Sequence, residues 1–174
     1  VVGAQAIGKG NADKRIDVIA TLITMNGTIE DLKELELSYS PMFSTAKDVV
    51  NLAALVATNI MHGRFKQVRV SEVRDLVEQG AVIIDVREEN EFAAGALKGA
   101  KNIPLSQFRE RMHEIPKDVP VYVHCRSAQR SYNAVMALEN SGYENVYNVS
   151  GSFLGICLYE YYKDQTENRE PIVT

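Results

Sequence analysis

The chain has 174 residues, 45% of them hydrophobic and 24% charged, enough to bury the core of one medium domain with room for a smaller attached piece. Its net charge of −4 excludes the basic surplus of a general nucleic-acid binder, and no apolar run reaches membrane-spanning length. The two cysteines, Cys125 and Cys157, match no metal site and no disulfide framework, which points to a reducing, cytoplasmic setting and to no bound metal.

Val1 opens an apolar, glycine-rich stretch without an initiator Met, so the expectation is a piece of a longer protein. Gly3, Gly8 and Gly10 do not make a dinucleotide fingerprint and read as turn or strand-end glycines. Ile16, Ile19, Ala20 and Ile23 fall at helical spacing, and Asn26-Gly27 ends that helix. Thr28 with Asp31 resembles a capping box for a short helix that turns Leu32 and Leu35 inward. Thr45 with Asp48 repeats the pattern before a helix whose apolar stripe is Val49, Leu52, Ala53, Val56 and Ile60, stopped by Gly63. Three helices and one strand make a poor independent core, so residues 1–63 are expected to pack on something else or on another copy.

From about Arg64 the pattern alternates between strands and helices. "QVRV" leads into a helix that Ser71 is expected to cap and Gly80 to end, with Val73, Leu76 and Val77 inward. "AVIIDV" is a continuous apolar run, as in a strand covered on both faces. A short helix at Glu89 to Ala94, "KNIP", a helical "LSQFRERMHEI", the buried strand "VPVYVHC", a helix ended by Gly142, the strand "NVYNV" and a last helix "SFLGICLYEYYKD" follow. The predicted fold class is α/β, a parallel sheet with helices on both faces, preceded by a mainly helical, partial domain. Residues 64–165 form the sheet domain, and 166–174 read as a polar, mobile tail. Tyr159, Tyr161 and Tyr162 read as amphipathic helix packing, and His62 and His113 as solvent-facing.

Cys125 stands where a strand meets a loop and a helix, at the sheet edge where ligands of such folds bind. A thiol attacks only as thiolate, and a helix N-terminus lowers its pKa. The loop Arg126, Ser127, Ala128, Gln129 can aim successive N–H groups at one point, while Arg126 and Arg130 add positive charge. The plain alternative is a small buried cysteine. Spacing separates two chemistries. In cysteine-dependent phosphatases the arginine would fall at position 131, where this chain has Ser131; here Arg130 comes one residue early. The tighter cradle suits one sulfur atom better than a phosphate. Asp85 and Arg87 at a buried strand end read as a structural ion pair bracing the site. His124 should point away from the nucleophile and Cys157 reads as core, although a resolving thiol is conceivable.

"VIIDVREENEFAAGALKGAKNIPL" and "VYVHCRSAQRSYNAVMALENSGYENVYNVSGSF" resemble, in one register, the two signatures of the rhodanese family. The first carries Asp85, Arg87, Glu91, Phe92, Gly95, Ala100, Asn102, Ile103 and Pro104; the second carries Cys125, Arg130, Ser131, Gly142, Tyr143, Val146 and Gly151. The resemblance implies a sulfurtransferase. Cys125 would take sulfane sulfur from a small-molecule donor, hold it as a persulfide and pass it to a thiol acceptor, with Arg130 shaping the loop. Arg126 would attract anionic substrates or simply be solvated. Ala128 stands where many members have Gly, Ala96 where histidine is frequent, and Gly151-Ser152 for a glycine pair; the usual tryptophan is absent.

Gly3-Ala4-Gln5, "DKRIDVIA", "TIEDL", "ELSYSP" and "AKDVVNLA" resemble the dimerisation region of flavin-dependent pyridine nucleotide–disulfide oxidoreductases, in the coenzyme A-disulfide reductase and NADH oxidase branch. Residues 1–63 would then be the incomplete C-terminal part of that domain. Tyr39, beside Pro41, would contact a partner subunit, or pack. The combination implies a parent chain that uses FAD, NAD(P)H and coenzyme A in missing flavoprotein domains and forms a homodimer. No cofactor is expected on the residues present. The rival reading is a rhodanese-like module that docks to or regulates the reductase without turnover.

Overall fold

The computed structural model describes all 174 residues, in two compact units, Val1–Arg64 and Phe65–Thr174. In the first unit, α1 (Ala12–Thr24), α2 (Ile29–Glu34) and α3 (Val49–Met61) gather around Leu22, Leu32, Val50 and Ala54. α2 starts as expected: the Thr28 hydroxyl accepts from the Asp31 N–H, and the Asp31 carboxylate accepts from the Thr28 N–H at 2.7 Å. α3 begins later than the Thr45–Asp48 box predicts. Asp48 itself is the cap, accepting from the Val50 N–H, while Asn51 reaches back to the Asp48 N–H. Asn51 also spans to α2, donating to the Leu32 and Leu35 carbonyls, so a polar side chain takes a place in this core. The expected stripe is therefore not the face this unit hides. Val50, Asn51, Ala54 and Thr58 are buried, while Val49, Leu52, Val56 and Ile60 are exposed. No strand forms in Val1–Arg64, so the expected one is absent.

The second unit is a five-stranded, all-parallel sheet in the order β1 (Lys66–Val68), β5 (Val146–Val149), β4 (Val121–His124), β2 (Val82–Asp85) and β3 (Lys101–Asn102). Side chains alternate across each strand and divide between two cores. Ile84, Val121, Val123 and Val146 pack with Phe108 of α6 (Phe108–Arg111) and with Ala134, Val135 and Leu138 of α7 (Gln129–Glu139). Ile83 and Val149 pack on the other side with Val73 of α4 (Val73–Glu78) and Ile156 of α8 (Ser152–Glu167). α5 (Glu89–Ala93) follows β2. Helices thus cover both faces, as alternation predicted.

Three expectations change here. Ser71 does not cap α4; a 3₁₀ turn over Val70–Glu72 precedes it, with the Glu72 carboxylate accepting from the Arg69 N–H. Tyr161 and Tyr162 are exposed, and α8 turns Ile156, Glu160 and Asp164 inward instead. The two carboxylates are neutralised by Arg74 and Arg169 across four contacts of 2.6 to 3.1 Å. The tail is no mobile end. Ile172 joins the core beside Leu97, Val173 bridges Leu97, and Ala96 and Thr174 exchange backbone hydrogen bonds at 3.2 and 2.9 Å. The residue alternation of "PIVT" places an apolar side chain inward there, which overrides the polar composition of the segment before it. No helix is long and apolar enough to cross a membrane.

Candidate active site

β4 is the central strand, flanked by β5 and β2, and Cys125 follows its last residue. The site therefore lies at the carboxyl edge of the sheet, where the chain has placed neighbours on both sides. The loop from Cys125 to α7 is tied down at both ends. The Cys125 carbonyl accepts from the Phe153 N–H at 3.0 Å and the Arg126 carbonyl from the Leu154 N–H at 3.1 Å, both at the start of α8. The Ala128 carbonyl accepts from the Tyr132 N–H as α7 begins. Ala128 takes φ +76°, the left-handed region, which costs an L-residue about 1 kcal/mol or more and is met here without a glycine.

The thiol is 1% exposed. Burial would push its pKa up, but the Ser131 hydroxyl and the backbone N–H groups of Ser131, Ser127 and Ala128 outweigh it, and the Cys125 thiol falls below its ordinary value. Ser131 Oγ is 3.6 Å from the sulfur. Arg126, Ser127 and Gln129 have exposed side chains at the mouth, so Ser127 and Ala128 act on the sulfur through their backbone. Arg126 forms no ion pair.

Arg130 does more than charge the loop. Its guanidinium meets the Glu91 carboxylate of α5 in a two-pronged pair at 2.7 and 2.8 Å, anchoring the loop's far end to the helix after β2. Hydrogen bonding to Arg130 holds the Glu91 carboxyl down to about 2, and the pair raises the Arg130 pKa in turn. Beneath, Arg87 Nε and Nη2 grip the Asp85 carboxylate at 2.6 to 3.1 Å, and Nη2 also donates to the Gly95 carbonyl at 2.7 Å. The Arg87 guanidinium lies 3.7 Å from the Phe153 ring centroid. Asn102 Nδ2 donates to the Asp85 and Arg87 carbonyls. His124 is buried against this brace, its Nε2 3.7 Å from Asp85 Oδ2; desolvation holds it neutral by lowering its pKa, against the pull of Asp85. It packs by Phe153 rather than serving the sulfur.

Of the predicted residues, Cys125, Ser127, Ala128 and Ser131 meet at the sulfur, Arg130 anchors the end of the loop, and Arg126 and Gln129 stand exposed at its mouth. Asp85 and Arg87 brace them from β2. Cys157 is half-buried in α8, its thiol raised by burial. Tyr39 lies in the other unit and is exposed. Sequence reasoning missed three partners. Glu91 was visible only as a signature position. Asn148, a buried amide in an apolar strand, accepts from the Ser131 hydroxyl at 2.7 Å. Ser152, seen as a mere substitute for glycine, accepts from the Cys125 N–H at 3.1 Å. A polar residue at an inward strand position was the available signal for Asn148. At Gly151, φ is +73° and an added Cβ would stand 3.2 Å from Val70 Cγ1, while Ser152 takes φ +47°, so both residues of that pair are left-handed and the second meets this with a hydrogen-bonded serine.

A thiol depressed by oriented N–H groups, over a doubly covered parallel sheet, defines a rhodanese-like domain, and the family model for the rhodanese-like domain matches residues 69–158. The chain belongs to that family. Among its relatives, the thiosulfate sulfurtransferase GlpE of Haemophilus influenzae is 31% identical over 96 residues, 55% of this chain and 91% of that protein. Coenzyme A disulfide reductase of Staphylococcus epidermidis is 46% identical over 52 residues, 30% of this chain and 12% of its own. Two solved structures extend the likeness. Reduced Bacillus anthracis CoADR-RHD superposes with a TM-score of 0.79 at 46% identity, covering 83% of this chain and 26% of that one. A NAD-dependent persulfide reductase from A. fulgidus gives 0.75 at 37%, covering 85% and 26%. Phe65–Thr174 is less than two thirds of the chain, so both likenesses take in part of Val1–Arg64 as well. The chain spans about a quarter of each of these two proteins.

Proposed function

We propose that Cys125 carries sulfane sulfur as a persulfide, in the C-terminal part of an FAD- and NAD(P)H-dependent reductase of coenzyme A disulfides, persulfides or polysulfides. The observation that carries the reading is the buried thiol ringed by the Ser127, Ala128 and Ser131 N–H groups, a cradle for one anionic sulfur. The thiolate attacks the outer sulfur of a donor such as thiosulfate. A new S–S bond forms, the donor's S–S bond breaks, and sulfite leaves with the electron pair. An acceptor thiolate then attacks the outer sulfur of the persulfide, and Cys125 departs as thiolate. There is no net oxidation, so this part of the chemistry needs no cofactor. The exposed Arg126 is the cation available to an anionic donor at the mouth.

The residues present do not fit FAD or NAD(P)H. Val1–Arg64 has no strand, and the βα turns at the sheet edge hold an ion pair and a thiol loop instead of a glycine-rich phosphate turn. Those cofactors and coenzyme A belong to the flavoprotein domains of the parent chain, in a reducing cytoplasm. A homodimer joined through the exposed face of α3, with Tyr39 reaching the partner subunit, accords with the apolar surface left open there.

The test is intact mass after incubation with thiosulfate or a polysulfide, beside Cys125→Ser. A gain of one sulfur on the wild type alone, removed by cyanide, is the expected result. No adduct from any donor would overturn the carrier reading in favour of a docking module.

A further inference from the structure

Asn148 lies on β5, buried, and its amide reaches the loop twice. Nδ2 donates to the Ala128 carbonyl at 3.3 Å, and Oδ1 accepts from the Ser131 hydroxyl at 2.7 Å. The first contact fixes the second, because a flipped amide would set Oδ1 against a carbonyl oxygen, acceptor against acceptor. Ser131 has one hydroxyl proton, and three atoms lie within its reach: Asn148 Oδ1 at 2.7 Å, Ser152 Oγ at 3.5 Å and Cys125 Sγ at 3.6 Å. Ser152 is already served. It accepts from the Cys125 N–H and gives its own proton to the Val149 carbonyl at 3.2 Å. The contest is between Asn148 and the sulfur. Ser131, Asn148, Ser152 and Cys125 are all buried, so bulk water does not replace whichever bond is lost.

We infer that Asn148 is a positioning residue that sets, through the single proton of Ser131, how readily Cys125 gives up its own. While the sulfur is a thiol, the Ser131 O–H points at Asn148 Oδ1, and Ser131 Oγ accepts the S–H. When the thiol proton leaves to solvent, the hydroxyl turns to the sulfur and Asn148 Oδ1 loses its donor. Asn148 thus favours the thiol, the loop N–H groups favour the thiolate, and the short 2.7 Å contact is the counterweight. The inference rests on Cys125 being the sulfur carrier for its use, although the contest for the proton exists without a donor.

The experiment is the pH midpoint of Cys125 alkylation by iodoacetamide on the full chain, read by peptide mass spectrometry so that Cys157 does not contribute. Asn148→Leu should lower the midpoint by about half to one pH unit, the worth of one buried hydrogen bond. Ser131→Ala should raise it by a similar amount, and Ser131→Thr should restore the wild-type profile. Asn148→Leu added to Ser131→Ala should move the midpoint no further, because the proton it acts through is gone. A rise in Asn148→Leu, or an equal shift with and without Ser131, makes Asn148 a brace for Ala128 alone and overturns the inference. If Asn148→Leu does not fold, Asn148→Ala takes its place with the same expected fall, and an unchanged midpoint in Ser131→Ala overturns the inference by itself. No sulfur donor is present, so failure of sulfur loading leaves this test standing. Unmoved midpoints beside intact loading would overturn this inference alone.

Discussion

Along β2, Ile84 packs into one core and Ile83 into the other, so in Phe65–Thr174 each apolar residue of the strand has a covered place. Along α3, by contrast, Val50 and Ala54 are covered while Val49, Leu52, Val56 and Ile60 are not, and Asn51 occupies an inward position. A helix apolar around most of its girth belongs between two surfaces, and Val1–Arg64 supplies one. The comparison teaches that apolar periodicity names the faces of an element without saying which face its own unit uses. A sheet with helices on both sides answers that internally. A three-helix piece does not.

Breaking the brace of the larger unit should have the greatest effect. Arg87→Leu leaves the Asp85 carboxylate buried without its guanidinium, and we expect a loss of about 3–5 kcal/mol in urea unfolding followed by circular dichroism. Leu138→Ala empties a fully buried site between α7 and the sheet, for about 2–5 kcal/mol in the same measurement. Glu91→Gln removes the charge that anchors Arg130, with about 1.5–3 kcal/mol expected at neutral pH. The sign follows from the folded-state value near 2, below the ordinary carboxylate range. The pair's contribution is full above the ordinary range, shrinks as pH falls, and is gone below about 2, where wild type and Glu91→Gln should unfold alike. Last, Leu52→Ala on the open face of α3 should cost no more than about 0.5 kcal/mol. A cost matching Leu138→Ala would mean that this face is covered in solution, and sedimentation of the two variants would then separate a second copy from intramolecular cover.

What was legible in the sequence was whatever depends on local alternation. The run "VIIDV", the break at Gly80 and the cysteine after "VYVH" located the sheet and its carboxyl edge. The Asp85–Arg87 pair was legible because two residues apart on a strand end share a face. Glu91, Asn148 and Ser152 were not, since each reaches the loop from a different element, 17 or more residues away in the pairs Ser131–Asn148, Cys125–Ser152 and Arg130–Glu91. The buried Glu160 and Asp164 of α8 were hidden for the same reason: only Arg74 and Arg169, brought there by folding, make an inward carboxylate tolerable.

The return of the last residues has a consequence for the order of events during synthesis. Thr174 backs Ala96, its carbonyl lies 3.1 Å from where a Cβ on Gly95 would stand, and Gly95 in turn accepts from Arg87. Ile172 completes the core shared by α4 and α8. The brace beneath Cys125 is therefore finished only by residues the ribosome makes some fifty positions after the cysteine itself, at about 5–20 residues per second. For several seconds a nascent chain carries its thiol without the surroundings that govern it.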